Sequence, residues 1–338
     1  MVELYERIRE FSDVQRLSKH EQIVQGVLAS IEDQVVERGQ MLPSINKLSN
    51  ELGCARKTVD KAYGVLKDRG LVESKNRRGY FVSTESVQQS IRVALVLYEF
   101  RPFHETFYNV FRQSVGEHVQ VDTFFHHNNL TVFEDIVVKI AGSYGLYVVA
   151  PVVDERSPAI LSSLIQNRLL LIDRMVEMPG SIPRVVQEFE QSTYSILSSL
   201  RDRIGKYERV VLFHRAAAAG PMGIRRAVER FCAESKINCA VMDHYEPETV
   251  REQTLYLPIA DSDLWSLLED CIDRGWAPGR EIGILSHNES KIKKIIQGGI
   301  ATWSTDFGQM ANRAARWVLE RQPEQATIPT VFIDRNSF

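Results

Sequence analysis

The side chains best placed for chemistry in this chain are cations at helical spacing, and the chemistry open to them is binding a polyanion. Arg56, Lys57, Thr58 and Lys61 crowd one short segment, with Asp60 among them. In the same segment Val59, Ala62, Tyr63 and Leu66 stand at i, i+3, i+4 and i+7, which predicts a helix with an apolar rear and a basic front. From Leu52 to Val82 eight basic residues face three acidic ones, so the basic excess is local. A packed helix starting just after a glycine turn suits a DNA major groove, its N-terminal residues nearest the bases. Arginine can bridge guanine O6 and N7, which makes Arg56 the candidate base reader. Lys57, Thr58 and Lys61 are candidate phosphate contacts, which fix register and make affinity depend on salt, and Lys47 is a further DNA-binding candidate. Arg77 and Arg78 beside Gly79 predict a basic turn able to reach backbone or minor groove, with Gly79 free to take positive φ.

Other chemistries lack their residues. There is no phosphate-cradling Gly-x-x-x-x-Gly-Lys, no Gly-x-Gly-x-x-Gly after a strand and no Gly-x-Ser-x-Gly elbow. His126, His127, His214, His244 and His287 are scattered without zinc spacing, and Cys54, Cys232, Cys239 and Cys271 form no Cys-x-x-Cys pair. The cysteines read as reduced core thiols, and no catalytic residue, metal or cofactor is expected. The formal net charge of −3 hides a split: residues 1–82 hold 14 Lys/Arg and 12 Asp/Glu, leaving 27 and 32 for the rest. No run of about 18 apolar residues predicts a membrane span, and the first residues do not read as a signal peptide. The expected compartment is the cytoplasm.

The elements that must position these residues follow from periodicity. Ile23, Val27, Ile31 and Val35 predict a helix from Lys19 to about Glu37. Ser44 reads as the N-cap of a short helix carrying Ile45, Leu48 and Leu52, which Gly53 ends. A third helix runs from about Ala55 to Asp68, and Leu71–Val82 reads as a hairpin turning at 76–79. That order predicts a winged helix-turn-helix over residues 1–82. Residues 83–90 are polar and aperiodic, as a linker is. From Ile91 onward apolar β-branched runs alternate with helical segments, at 91–98, 119–125, 146–152, 169–172, 209–213, 239–242, 254–259 and 281–285. Such repetition predicts a doubly wound α/β architecture, and 91–338 suits two lobes better than one.

Residues 19–82 resemble the winged helix-turn-helix of the GntR family of bacterial regulators. The stretches LPSINKLSNELG, RKTVDKAYGVLKDRGLV and RRGYFV carry the likeness. It implies DNA contacts at Ser44, Arg56, Thr58 and Gly79. Asn46 and Asp60 stand where many members place arginine, so the implied operator differs from theirs.

Residues 91–338 resemble, more diffusely, the periplasmic-binding-protein-like effector domain of the LacI family, through IRVALVLY, VVAP, LLLIDR, IADSDL, GWAPGREIGILSHNES, ATWSTDF and IDRNS. The likeness implies two lobes closing on a sugar or similar polar metabolite. Asp261 and Asn288 match acidic or amide positions of the family's second lobe. Glu188 falls at its helix-start Asp, and Arg225 is the nearest counterpart of a family arginine. Ligands of open α/β sheets sit beyond the carboxyl ends of strands. Those ends add Phe100, Arg101, Phe103, Tyr108, His126, Asn128, Asp173 and Arg174 as effector candidates, whereas Phe107 reads as core.

The combined expectation is a bacterial regulator that represses a carbohydrate operon, binding double-stranded operator DNA as a homodimer under control of a monosaccharide or derivative. Its dimer contacts are expected from the lobes, helped by Leu4, Ile8 and Phe11. Three alternatives stay open at this point: a non-sugar effector, a sensor that binds nothing, and an enzyme on the two-lobed scaffold.

Overall fold

Gly26 sets the first packing of the N-terminal region. A Cβ there would lie 2.5 Å from the Ile8 backbone, so only glycine lets α1 (Val2–Glu10) cross this close to α2 (Lys19–Glu32). The structure is a computed structural model describing residues 2–12, 17–68, 70–75, 78–83, 91–215 and 221–338. Helices α3 (Ile45–Leu52) and α4 (Arg56–Asp68) complete the helical part of the head, and β1 (Val72–Lys75) pairs antiparallel with β2 (Gly79–Val82) as its wing. Backbone bonds from Leu42 to Tyr80 and from Val82 to Gln40 add residues 39–42 along the wing. Leu4, Ile8, Val27, Leu48, Val59, Tyr63 and Leu66 form one core. Each large side chain buried there contributes roughly 1.5–3 kcal/mol.

Two expectations are corrected. Helix α2 stops at Glu32, because Gln34 takes φ 57° and breaks the repeat. Leu4, Ile8 and Phe11 are 0%, 3% and 1% exposed within their own chain, so they are not free to serve a dimer interface. The linker assigned to 83–90 lies, apart from Ser83, outside the described residues, as do Asn76 and Arg77 of the wing turn.

Tyr63 ties α4 to the start of α3 by donating its hydroxyl to the Pro43 carbonyl at 2.8 Å, in a fully buried site. A Tyr63→Phe protein leaves that carbonyl unsatisfied and should unfold about 1–2 kcal/mol more easily in urea. An unchanged midpoint would contradict the role given to the bond.

Beyond the head the chain builds two parallel-sheet lobes. Lobe 1 contains β3 (Ile91–Leu97), β4 (Val119–Phe125), β5 (Leu146–Val149), β6 (Leu169–Asp173) and β7 (Arg184–Gln187), with α5 (Pro102–Val115), α6 (Leu130–Ile140) and α7 (Ser157–Leu161) between them. The chain then enters lobe 2 through α8 (Glu190–Ser199) and α9 (Arg201–Ile204). There it forms β8 (Arg209–Phe213), α10 (Met222–Ser235), β9 (Asn238–Met242), β10 (Thr254–Pro258), α11 (Asp261–Arg274), β11 (Gly283–His287), α12 (Lys291–Ile295) and β12 (Ala301–Thr305). Helix α13 (Phe307–Glu320) returns to pack on α5, β13 (Gln325–Ile328) joins the first sheet and β14 (Thr330–Ile333) the second.

The sheet orders are β13-β7-β6-β5-β3-β4 and β14-β12-β11-β10-β8-β9, parallel except for the antiparallel β12–β14 pair. Both sheets reverse direction of growth beside their first strand, where an open α/β sheet leaves a crevice. Three crossings join the lobes and are bonded together: the Glu188 amide donates to Ile328 O at 3.1 Å, Thr330 Oγ1 to Glu188 O at 3.1 Å, and Thr305 Oγ1 to Gln187 Oε1 at 2.6 Å.

Candidate DNA-binding face and interlobe cavity

Ser44 caps α3 by accepting from the Lys47 amide at 3.3 Å, and Gly53 ends that helix at φ 59°, a left-handed conformation that glycine adopts without strain. This tight turn aims α4. Its rear residues Val59, Ala62, Tyr63 and Leu66 are fully buried, which leaves Arg56, Lys57 and Lys61 exposed and Thr58 half-buried. Among the described residues neither Arg56 nor Lys57 is held in an ion pair, so both guanidinium and ammonium are available to DNA. Ser44 and Lys47 are exposed at the start of α3, and Arg78 is exposed on the wing beside Gly79 at φ 107°. Arg77 lies outside the described residues. Lys75, which the sequence did not single out, is exposed on the wing strand but paired with Glu73 at 3.0 Å.

The second site is a cavity of about 140 Å³ between the lobes, at the carboxyl ends of the strands. Lobe 1 contributes Tyr98 and Glu99 after β3, Arg101, Phe103 and His104 at the start of α5, and Asp173 and Arg174 at the end of β6. Gln187 and Phe189 mark a crossing. Lobe 2 contributes Phe213, His214 and Arg215 at the end of β8, Ile259, Ala260 and Asp263 around the start of α11, and His287 and Asn288 at the end of β11. Asp173 stands at φ 64° and Asn288 at φ 60°, conformations unusual for residues with side chains and typical of functional turns.

Of the effector candidates, Arg101, Phe103, Asp173, Arg174 and Asn288 come together on this cavity. The others do not line it. Phe100 is solvent-exposed against Tyr108 and Phe125, and Tyr108 packs on the lobe 1 core. His126 is buried with Nε2 3.0 Å from Ala150 O, while its Nδ1 accepts from the Asn128 amide. Glu188 caps α8, accepting from the amides of Glu190, Gln191 and Ser192. Arg225 pairs with Glu229 on the exposed side of α10. Asp261 holds the buried Lys293 ammonium at 2.7 Å, and Lys293 donates to the carbonyls of His287 and Asn288, so this pair fixes the turn that presents Asn288.

The charged side chains that line the cavity stand mostly in opposite pairs. Arg101 pairs with Glu99, and Arg215 stands 3.6 Å from Asp263, so the lining's charges are largely matched. Burial opposes ionisation of Asp173. His104, with Nε2 3.8 Å away, Arg174 and the Gln187 amide nevertheless hold its carboxyl down to about 2. Among the described residues no hydrogen-bond partner reaches either ring nitrogen of His104, His214 or His287, nor Asn288 Oδ1, although all of these atoms are buried. A neutral imidazole donates once and accepts once, which is what a sugar hydroxyl also does. Burial, with Lys293 and Arg174 nearby, pushes the His287 pKa down to about 3, so its ring is neutral at physiological pH. Phe103 and Phe189 add aromatic faces.

A pH dependence follows. His287 and His126, the latter pushed down to about 4 by burial, stay neutral in the folded chain, whereas unfolded histidine takes up a proton near pH 6.5. The unfolded state then binds more protons below that pH, so their stabilisation is complete above pH 6.5 and falls as pH drops toward 4. From pH 7 to 5 each ring should cost roughly 2 kcal/mol of stability. A His287→Asn protein should lose correspondingly less than wild type over that interval in urea unfolding. Equal losses would contradict the burial of a neutral ring.

Comparison with known proteins agrees with this division. The family profile "Bacterial regulatory proteins, gntR family" matches residues 19–82. No curated protein matches the chain as a relative. A LacI family transcriptional regulator from Silicibacter pomeroyi superposes with a TM-score of 0.61 at 14% identity, covering 73% of this chain and 98% of its own. One from Lactobacillus casei, solved with bound glucose, gives 0.61 at 13% identity, over 73% of this chain and 99% of its own. The transcriptional regulator CelR in complex with cellobiose gives 0.60 at 12% identity, over 88% and 100%. Among the described residues no helix is long and apolar enough to cross a membrane, and no cluster of three or more metal-ligating side chains occurs. The chain thus joins a region at 19–82 that matches the gntR family model to two lobes with the fold of the LacI-type regulators.

Proposed function

We propose that this protein is a cytoplasmic, non-enzymatic transcriptional regulator that binds operator DNA as a homodimer and responds to a neutral sugar or close derivative held between its lobes. In this reading residues 1–82 form the head, 83–90 the connection and 91–338 the sensor. Ser44, Lys47, Arg56, Lys57, Thr58, Lys61, Arg77, Arg78 and Gly79 meet DNA. The observation that carries the effector reading is the set of buried imidazoles of His104, His214 and His287, without hydrogen-bond partners among the described residues and drawn from both lobes onto one cavity with Asn288 and Asp173. Buried polar groups without partners are costly, and a polyhydroxylated ligand would satisfy them while drawing the lobes together. The sugars bound by the Lactobacillus casei regulator and by CelR support the same class. A homodimer matches the two-fold symmetry of paired operator half-sites.

The test is thermal unfolding of the purified protein against neutral mono- and disaccharides, sugar phosphates and nucleosides. Stabilisation that grows with the logarithm of one neutral sugar's concentration is the expected result. Stabilisation by nucleosides alone, or by nothing, would overturn the sugar reading.

A further inference from the structure

Arg168 is the bulkiest of the fully buried side chains, at 2% exposure, yet it belongs to neither the DNA-binding face nor the cavity. We propose that Arg168 is a positioning residue that locks the DNA-binding head onto lobe 1, so that the two move as one body. Its guanidinium lies on the seam between them. One nitrogen donates to Asp33 Oδ2 of the head at 2.9 Å. The other donates to Gly145 O of lobe 1 at 2.8 Å and stands 3.5 Å from Glu32 Oε2 of the head. Phe11 of the head lies under the same group, 5.8 Å from ring centre to guanidinium. Arg7 adds a second cation to Asp33 at 3.2 Å.

The surfaces around this ion cluster are shaped for each other. Phe11 and Ala29 of the head, each 1% exposed, are part of the lobe 1 core. A Cβ on Gly142 would lie 2.4 Å from Leu17 Cδ1, and one on Gly145 2.9 Å from Glu32 Oε2. Side chains at either glycine would crowd Leu17 or Glu32 of the head across the seam. A buried ion pair contributes little net stability but penalises every arrangement that leaves one charge alone. Here that penalty falls on any sliding or tilting of head against lobe 1 that keeps the seam closed, because Arg168 or the Glu32–Asp33 pair would then be buried without its partner.

The seam sits at the amino end of β6 and the cavity at its carboxyl end. Five buried residues, Leu169–Asp173, connect Arg168 to Asp173, a span of about 17 Å at strand rise. On the regulatory reading above, on which this consequence rests, lobe closure reaches DNA as a displacement of the whole head–lobe 1 body.

Hydrogen exchange of the full chain, without DNA or sugar, tests the lock and is independent of whether the regulatory reading holds. Arg168→Met, made in lobe 1, should speed exchange of α2 amides in the head about tenfold or more. The double variant Glu32→Gln, Asp33→Asn, made in the head, should do the same to residues 141–145 in lobe 1. In both proteins β8 and β10 should exchange as in wild type. Effects confined to the mutated side, or absent, would overturn the proposal. Should Arg168→Met also loosen β8 and β10, the head-side variant decides alone.

Discussion

An Arg56→Ala protein should lose about 1–3 kcal/mol of specific DNA binding, roughly five- to more than a hundredfold in Kd, with discrimination relaxed at one base pair. The expectation comes from position and from availability together. Arg56 is the first residue of α4, directly after the turn that Gly53 makes possible, and its side chain is exposed and outside any ion pair among the described residues. A bidentate contact to guanine is lost without disturbing the fold, because the helix is anchored by Val59, Tyr63 and Leu66 on its other face. Lys57→Ala should behave differently: weaker binding to all sequences alike, with the salt dependence reduced by about one counterion. Filter or anisotropy titrations against matched and single-mismatch duplexes at two salt concentrations separate the two. If both variants weakened all sequences equally, Arg56 would be a phosphate contact and the base reader would lie elsewhere.

The second large effect is expected in the sensor. Asp173→Asn should weaken sugar binding by roughly ten- to a hundredfold, since a charged acceptor contributes about 1.5–3 kcal/mol per hydrogen bond to a buried partner. The substitution preserves shape but puts an amide against Gln187, whose Nε2 now donates to the carboxylate. Gln187 cannot turn its amide over to compensate without losing the bond that its Oε1 accepts from Thr305 Oγ1 at 2.6 Å. The new amide must therefore turn its own oxygen to Gln187, which leaves its nitrogen, a donor, where the charged acceptor stood. Operator binding in the absence of sugar should be unchanged. A sugar titration with wild-type affinity in the Asp173→Asn protein would remove Asp173 from the binding set.

The head was legible because its signals are local. Ser44 and Gly53 mark helix ends by their own chemistry, and Val59, Ala62, Tyr63 and Leu66 declare a buried face at single-turn spacing. Strands β7, β12, β13 and β14 were not recognised as strands. Thr302, Ser304 and Thr305 are polar yet fully covered, and β13 reaches its sheet only after the chain has crossed between lobes twice. The cavity was half legible. Arg101, Asp173, Arg174 and Asn288 follow strands, and the strand-end rule found them. The same rule selected His126 and Asn128, but they follow β4, which is the edge strand and lies away from the cavity. His214 and His287 sit at the ends of apolar runs, VVLF and GILS, and that signal was present in the sequence. His104 and Gln187 carried none, because only the packing of α5 and the crossing after β7 brings them beside Asp173.

The most direct test of the account joins its two halves. A duplex selected by the protein from a random pool should be titrated with and without the sugar that stabilises it in thermal unfolding. The account predicts that saturating sugar changes the Kd for that duplex at least about tenfold, while Asp173→Asn binds the same duplex with no response at that sugar concentration. An identical Kd with and without a sugar that demonstrably occupies the cavity would contradict it, because a ligand that binds both arrangements equally regulates nothing.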